Sequence, residues 1–459
     1  MRRALLAVAA LWFGAAGAGR GQQFTPAGTG GVAALANALR QLGANKRVLV
    51  IGAHPDDEDT QLLTWLARGL GAQAAYLSLN RGEGGQNLIG EELGPELGII
   101  RSEELLAARS IDGAHQFFTR AYDFGFSKTA DETFRFWPRD SVLRDVLDVI
   151  RRFRPQVIVS IFSGTPKDGH GNHQVAGILA RQAFDLLRDS TWGPVKFYRS
   201  TFFDTTATTL TIATGGLDPL LGQSYYQIAM AGRSRHRSQD MGQLQRPGPA
   251  FTRLALVASK VGTGAGVFAG VDTGWAGPAR YPALIDSARA ALTPYAPEHI
   301  VPFLGRAAQA LGTGNAEQLA TLDAALAEAD GIVVDGIADD GIVVPGQRLQ
   351  VEVSVWNTGP DPLPVSAVDV SAPPRMADRS ARAPERVRRS GCHGGASLRR
   401  HDRGRCAALA AVFSAPAARR CVVRLDRGAE RHPRLAVRAA AVGGARQLHD
   451  RGDARRAHP

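Results

Sequence analysis

An α/β fold is predicted by this sequence: a Rossmann-like, mostly parallel sheet flanked by helices, followed by the start of an incomplete β-sandwich. Short runs rich in Val, Ile and Leu recur between turn signals, and stretches with apolar residues at helical spacing separate them. After Asp330 the apolar period changes to two. Continuous apolar runs mark strands buried on both faces, and their alternation with helices marks βαβ units.

In chain order, Val32, Leu35, Leu39 and Leu42 share a helical face and lead into the buried strand Arg47–Ala53. A helical pattern over 57–69, a strand over 73–79, a Gly-rich loop at 82–90 and a helix over 99–108 follow. Residues 141–153 alternate apolar and charged residues at helical spacing, 155–162 form another buried strand, and 173–188 are helical again. Residues 197–200 are expected to continue as a strand into the Thr-rich run 205–211, and 282–326 read as Ala-rich helix packed on the body or forming a small cap. The alternation over 349–356, before Asn357-Thr-Gly-Pro360, starts a sandwich.

Charge separates the chain into two parts. Residues 372–459 hold 21 Arg, no Lys and 7 acidic residues, while the preceding 371 carry 33 basic against 36 acidic residues. The overall charge of +11 therefore belongs to the tail, and no nucleic-acid partner is expected for the body. All three cysteines, Cys392, Cys406 and Cys421, also lie in the tail, so the body has neither disulfide nor thiolate metal site. A nucleic-acid or anionic-polymer arm, a disordered segment and out-of-frame sequence all fit the tail's Arg-rich, aperiodic composition; the abrupt loss of period favours the last.

At the other end, Met1-Arg2-Arg3, an apolar run from Ala4 to Phe13 and the small residues Ala16-Gly17-Ala18 have the layout of a secretory signal peptide. The run is shorter than the ~20 residues that span a bilayer, so a secreted or periplasmic protein without stable membrane insertion is expected. The expected organisation is a signal peptide (1–22), the main α/β domain (31–275), a helical segment (276–330), a partial sandwich (331–371) and the tail (372–459).

Two segments carry the chemistry. His54-Pro55-Asp56-Asp57-Glu58 follows the first buried strand, and Gly169-His170-Gly171-Asn172-His173 follows the strand ending at Phe162. Ligands of open parallel sheets bind at the carboxyl ends of strands, so the two segments can meet in one cleft. His54 and Asp57 can turn to one ion while Asp56 points elsewhere, and Asp57 in a first helical turn has helix capping as its simpler reading. Two His and a carboxylate leave a coordination position for water, the pattern of catalytic rather than structural zinc. Iron or cobalt could replace zinc, since these ligands are permissive.

These motifs, His-Pro-Asp-Asp-Glu and the downstream His-x-x-His, resemble the PIG-L or LmbE-like family of zinc-dependent de-N-acetylases acting on N-acetylglucosamine conjugates, over about residues 45–190. The resemblance implies His54, Asp57 and His173 as zinc ligands and Asp56 as general base. It implies His170 as the group that stabilises the oxyanion and protonates the leaving amine. Arg101 would contact a sugar or phosphate; a surface pairing with Glu104 or another nearby acid is the simpler alternative. Many relatives carry Asp where this chain has Asn172. In chemical terms, a carboxylate takes the water's proton while a histidinium faces the oxyanion, and a bell-shaped pH profile is expected.

The reading is therefore a metal-dependent hydrolase removing acetyl from an N-acetylated sugar or glycoconjugate. A hydrolase of another amide conjugate and a non-catalytic sugar-binding module are the alternatives. Arg233-Ser-Arg-His236-Arg-Ser-Gln239 could line the cleft, but a solvated helix face is the preferred reading. Asn80–Gly85 lacks a phosphate-binding pattern and reads as a substrate loop; His115 and His299 read as structural.

Overall fold

A computed structural model describes residues 30–202, 205–313, 315–338, 348–357 and 359, with strands at 369–371, 408–414, 420–425 and 435–439. The expected signal peptide lies outside the described residues.

The sheet has seven strands: β1 (Arg47–Gly52), β2 (Gln73–Ser78), β3 (His115–Phe118), β4 (Val157–Ser160), β5 (Lys196–Ser200), β6 (Leu210–Ala213) and β7 (Phe251–Ser259). Their spatial order is β3-β2-β1-β4-β5-β7-β6. The first five are mutually parallel, whereas β7 runs antiparallel to both β5 and β6. The strand order reverses between β1 and β4, and a crevice opens at such a switch point beyond the strands' carboxyl ends.

All six residues of β1 are buried because helices cover both faces. Leu49 and Ile51 pack with Val146, Ile150, Leu179 and Phe184 from α5 (Arg139–Phe153) and α6 (Gly171–Leu187). Val48 and Val50 pack on the other face with Leu62 of α2 (Thr60–Thr64) and Leu105 of α3 (Pro95–Asp112). Burying one such aliphatic side chain contributes ~1.5–3 kcal/mol, and twofold coverage explains the unbroken apolar reading of the strand.

The structure differs from expectation in several places. The helix expected from Asp57 begins only at Thr60, capped by the Asp59 carboxylate accepting from Leu62 N, and continues through a π-helical turn at Trp65–Gly69. Asp57 is thus in the loop and not in a helical turn. The Thr-rich run does not prolong β5: Thr205–Ala207 form a 3₁₀ turn and β6 pairs with β7 instead. Strands β3 and β7 were not expected from the sequence.

The first helix, α1 (Gly31–Gly43), puts Leu35, Leu39 and Leu42 into a core shared with α8 (Arg280–Ala291), α9 (Val301–Leu311) and α10 (Ala316–Ala329). The helical segment therefore packs with the start of the body. Beyond it, Ile332–Ala338 pairs antiparallel with Arg348–Asn357, and Ala408–Ser414 adds a third strand. Strands at Asp369–Ser371, Arg420–Leu425 and Leu435–Ala439 form a further antiparallel sheet. The tail, expected to lack any period, contains three of these strands, built on short apolar runs such as Val422-Val423. Among the described residues no helix is long and apolar enough to cross a membrane.

Candidate metal centre

The loop after β1 and the start of α6 after β4 meet at the switch point. His54 Nδ1 and His173 Nε2 are 3.2 Å apart. Asp57 lies between them, its Oδ2 3.3 Å from His54 Nδ1 and its Oδ1 3.4 Å from His173 Nε2. A tetrahedral ion with ligand bonds of 2.0–2.1 Å separates its ligand atoms by ~3.3 Å, so the imidazole nitrogens are already spaced for such an ion. Asp57 Oδ2 accepts from Ala53 N at 2.9 Å and His54 N at 2.7 Å, which folds the loop and leaves Oδ1 as the oxygen free to ligate. Among the described residues, these three form the one cluster of His, Cys, Asp and Glu side chains able to hold a metal.

Both imidazoles are oriented from behind. His173 Nδ1 donates to the Asp168 carbonyl at 3.3 Å, which leaves Nε2 unprotonated toward the cluster, and Phe162 stacks on the ring at 4.0 Å. His54 Nε2 meets the buried Asn172 amide at 3.4 Å. The same amide contacts Thr133 Oγ1 at 3.0 Å and Ser127 Oγ at 3.3 Å. With an ion on Nδ1, His54 carries its proton on Nε2. An Asn172 oxygen turned to that proton, and its NH₂ turned to the two hydroxyls, then satisfies every group. Tyr76 Oη donates to the His54 carbonyl at 2.6 Å.

Burial alone would lower the His54 pKa, but Asp57, with Asp123 and Asp56 behind it, more than offsets this and the pKa is raised. Burial opposes ionisation of Asp57 too, yet His54 and His173 hold its carboxyl well below the usual range. The cluster thus favours an ionised aspartate facing two nitrogens.

Asp56 pairs with Arg101, its Oδ1 2.9 Å from Nη2. Arg101 is only 3% exposed, so it is neither a surface residue nor a partner of Glu104, which accepts instead from Ser238 N and Oγ. Its Nη1 donates to the Gly82 carbonyl at 3.2 Å, and a Cβ at Gly82, where φ is +74°, would lie 2.3 Å from Nη1. The Gly-rich loop is therefore shaped to seat this guanidinium.

His170 packs at a tilt against both imidazoles of the cluster, with ring centroids 5.1 Å from His54 and 5.0 Å from His173. As N-cap of α6 its Nδ1 accepts from Asn172 N at 3.2 Å. The resting ring then carries its proton on Nε2, and a second proton on Nδ1 would lose that bond and face the positive helix end. Burial, followed by His54 and His173, pushes the pKa down to about 4. The expected histidinium is thus a neutral imidazole at rest.

The segment 233–239 is also not a solvated face: His236 and Ser238 are fully buried. Its contacts with the loop had no local signature in the sequence, nor did those of Ser127, Thr133 and Tyr76.

Residues 49–184 match the family described as PIG-L: GlcNAc-PI de-N-acetylase. The matched segment runs from β1 into α6. A 1D-myo-inositol 2-acetamido-2-deoxy-alpha-D-glucopyranoside deacetylase of Geodermatophilus obscurus is 32% identical over 167 residues, covering 33% of this chain and 56% of the relative. A diacetylchitobiose deacetylase of Thermococcus kodakarensis is 32% identical over 140 residues, covering 30% of this chain and 49% of the relative. The chain thus spans about half the length of these relatives. All three ligand candidates, Asp56, Arg101 and His170 lie inside the matched segment.

Proposed function

We propose that this chain is a metal-dependent hydrolase that removes the acetyl group from an N-acetylated sugar or glycoconjugate of the N-acetylglucosamine type. The observation that carries the reading is the set of three ligand atoms spaced for one small ion, with Asp56 and His170 beside it. The donor set fits zinc, with iron or cobalt as permissible substitutes. The deacetylase names of the relatives support the substrate class, and the signal-like N-terminus supports export.

A bound zinc ion would supply an acidified water and polarise the amide carbonyl. Asp56, fixed by Arg101, takes the proton of the attacking water, a contribution of about 10²–10⁴ in rate. His170 Nε2–H donates to the oxyanion, worth about 10²–10³. Because His170 Nδ1 is committed to Asn172 N, the leaving amine receives its proton from Asp56, which has just gained one. Arg101 acts through Asp56 rather than on the sugar.

The test is a metal assay of the purified full chain with a screen for acetate release from N-acetylated sugars. Asp56→Ala should abolish turnover and retain the metal, whereas His54→Ala should lose both. Full activity of Asp56→Ala on every substrate turned over by the parent would refute the mechanism. A metal-loaded parent chain that binds these sugars without releasing acetate would establish a binding module instead.

A further inference from the structure

We propose that Arg233 and His236, which lie downstream of the PIG-L match, are positioning residues that clamp the metal-bearing loop; the inference rests on the metal-centre reading above. Residues 53–59 have no ladder of their own to fix them, and Arg233, at the end of α7 (Tyr225–Arg233), supplies part of what is missing. Arg233 Nη1 donates to the main-chain carbonyls of Asp56 at 2.7 Å and Glu58 at 3.2 Å, the two residues flanking Asp57. The same guanidinium nitrogen therefore sets the backbone on both sides of a proposed ligand, at the residue proposed as base.

His236 holds the other side of Glu58. Its Nε2 meets Glu58 Oε1 at 2.9 Å with both side chains fully buried, and Arg109 Nη2 approaches the same oxygen at 3.4 Å. A carboxylate removed from water to this degree is tolerated only when paired, so the loop's position is conditional on the docking of 233–236. Ser238 adds the bonds to Glu104 of α3, the helix that also carries Arg101. One segment thus ties together the Asp56 backbone and the helix that holds the Asp56 side chain.

The experiment is a zinc competition titration against a chromophoric chelator on the full chain, with thermal melts of the metal-free proteins alongside. Arg233→Met keeps the aliphatic stem and removes the donors, Arg233→Ala removes both, Arg233→Lys restores a donor, and Arg235→Ala alters an exposed neighbour. Loss of such outer partners weakens metal affinity about 10–100-fold, and that is expected for Met and Ala, with recovery in Lys and no change in Arg235→Ala. A residue that merely stabilised the fold would lower the metal-free melting point without changing zinc affinity in the protein that remains folded. Zinc binding by Arg233→Met as tight as that of the parent overturns the clamp. If Arg233→Ala does not fold, the Met and Lys variants decide. A parent chain that takes up no zinc would instead refute the metal-centre reading, separately from the clamp.

Discussion

Replacing Arg109 by Met tests whether the buried charges beneath the metal loop stand as drawn. Arg109 binds Asp112 through Nε at 2.9 Å and Nη2 at 2.5 Å, and approaches Glu58 at 3.4 Å; the two carboxylates have 0% side-chain exposure and the guanidinium 4%. Methionine fills the stem but leaves Asp112 with Ala114 N at 2.9 Å and Glu58 with His236. Stranding a buried partner in this way costs ~3–5 kcal/mol. At roughly 2–4 °C per kcal/mol, the melting point should fall by about 6–20 °C. Urea unfolding of the metal-free protein, with m compared between variants, measures the loss without the contribution of ion binding. Arg151→Ala is the control, since its pair with Asp148 is exposed and should matter by no more than ~1 kcal/mol. If Arg109→Met loses as little as the control, Glu58 and Asp112 are not ionised and paired as the geometry requires.

Asn172→Ala should weaken zinc binding about 10–100-fold by freeing the His54 ring, whereas Asn172→Asp, which still accepts from Nε2–H, should retain most of the affinity; an unchanged Ala variant would exclude the orienting role. Asp145 pairs with Arg120 Nη2 at 2.7 Å. Burial opposes its ionisation, but Arg120 outweighs this and the carboxyl is held below its ordinary 3.8. A depressed carboxylate stabilises above its unfolded pKa and loses that contribution as pH falls through the folded value. Arg120→Ala should therefore destabilise the protein slightly at pH 7, as loss of an exposed pair does, with the difference fading below the ordinary 3.8. A gap between the two urea curves that stays constant down to pH 2 would refute that pairing.

What could be read from the sequence follows from which interactions leave a local trace. β1 and β4 are covered on both faces, so each is an unbroken apolar run, and the polar residues just beyond them stand out as a strand-end site. That sufficed to bring His54, Asp57 and His173 together, because strands flanking a switch point deliver their loops to the same crevice. β3 has no such coverage: His115–Phe118 is four residues long and partly exposed. β7 alternates exposed and buried positions irregularly and pairs antiparallel with two strands, one through a register shift, which blurs its period.

The electrostatics of the site left still less trace. Arg101 reads as a substrate contact or a surface cation until the Gly82 turn is seen to bury it, and His170 reads as a cation until its cap bond to Asn172 N assigns its proton. Glu58 and His236 are 178 residues apart in the chain, and neither the helix period nor the charge pattern distinguishes a buried pair from two solvated residues. Ligand identity was therefore local information, carried by residue type after a strand, whereas the geometry that makes those ligands usable depends on partners the chain supplies much later. A fragment ending at the PIG-L match would retain every proposed ligand and lose the Arg233 donor that fixes the backbone on either side of Asp57.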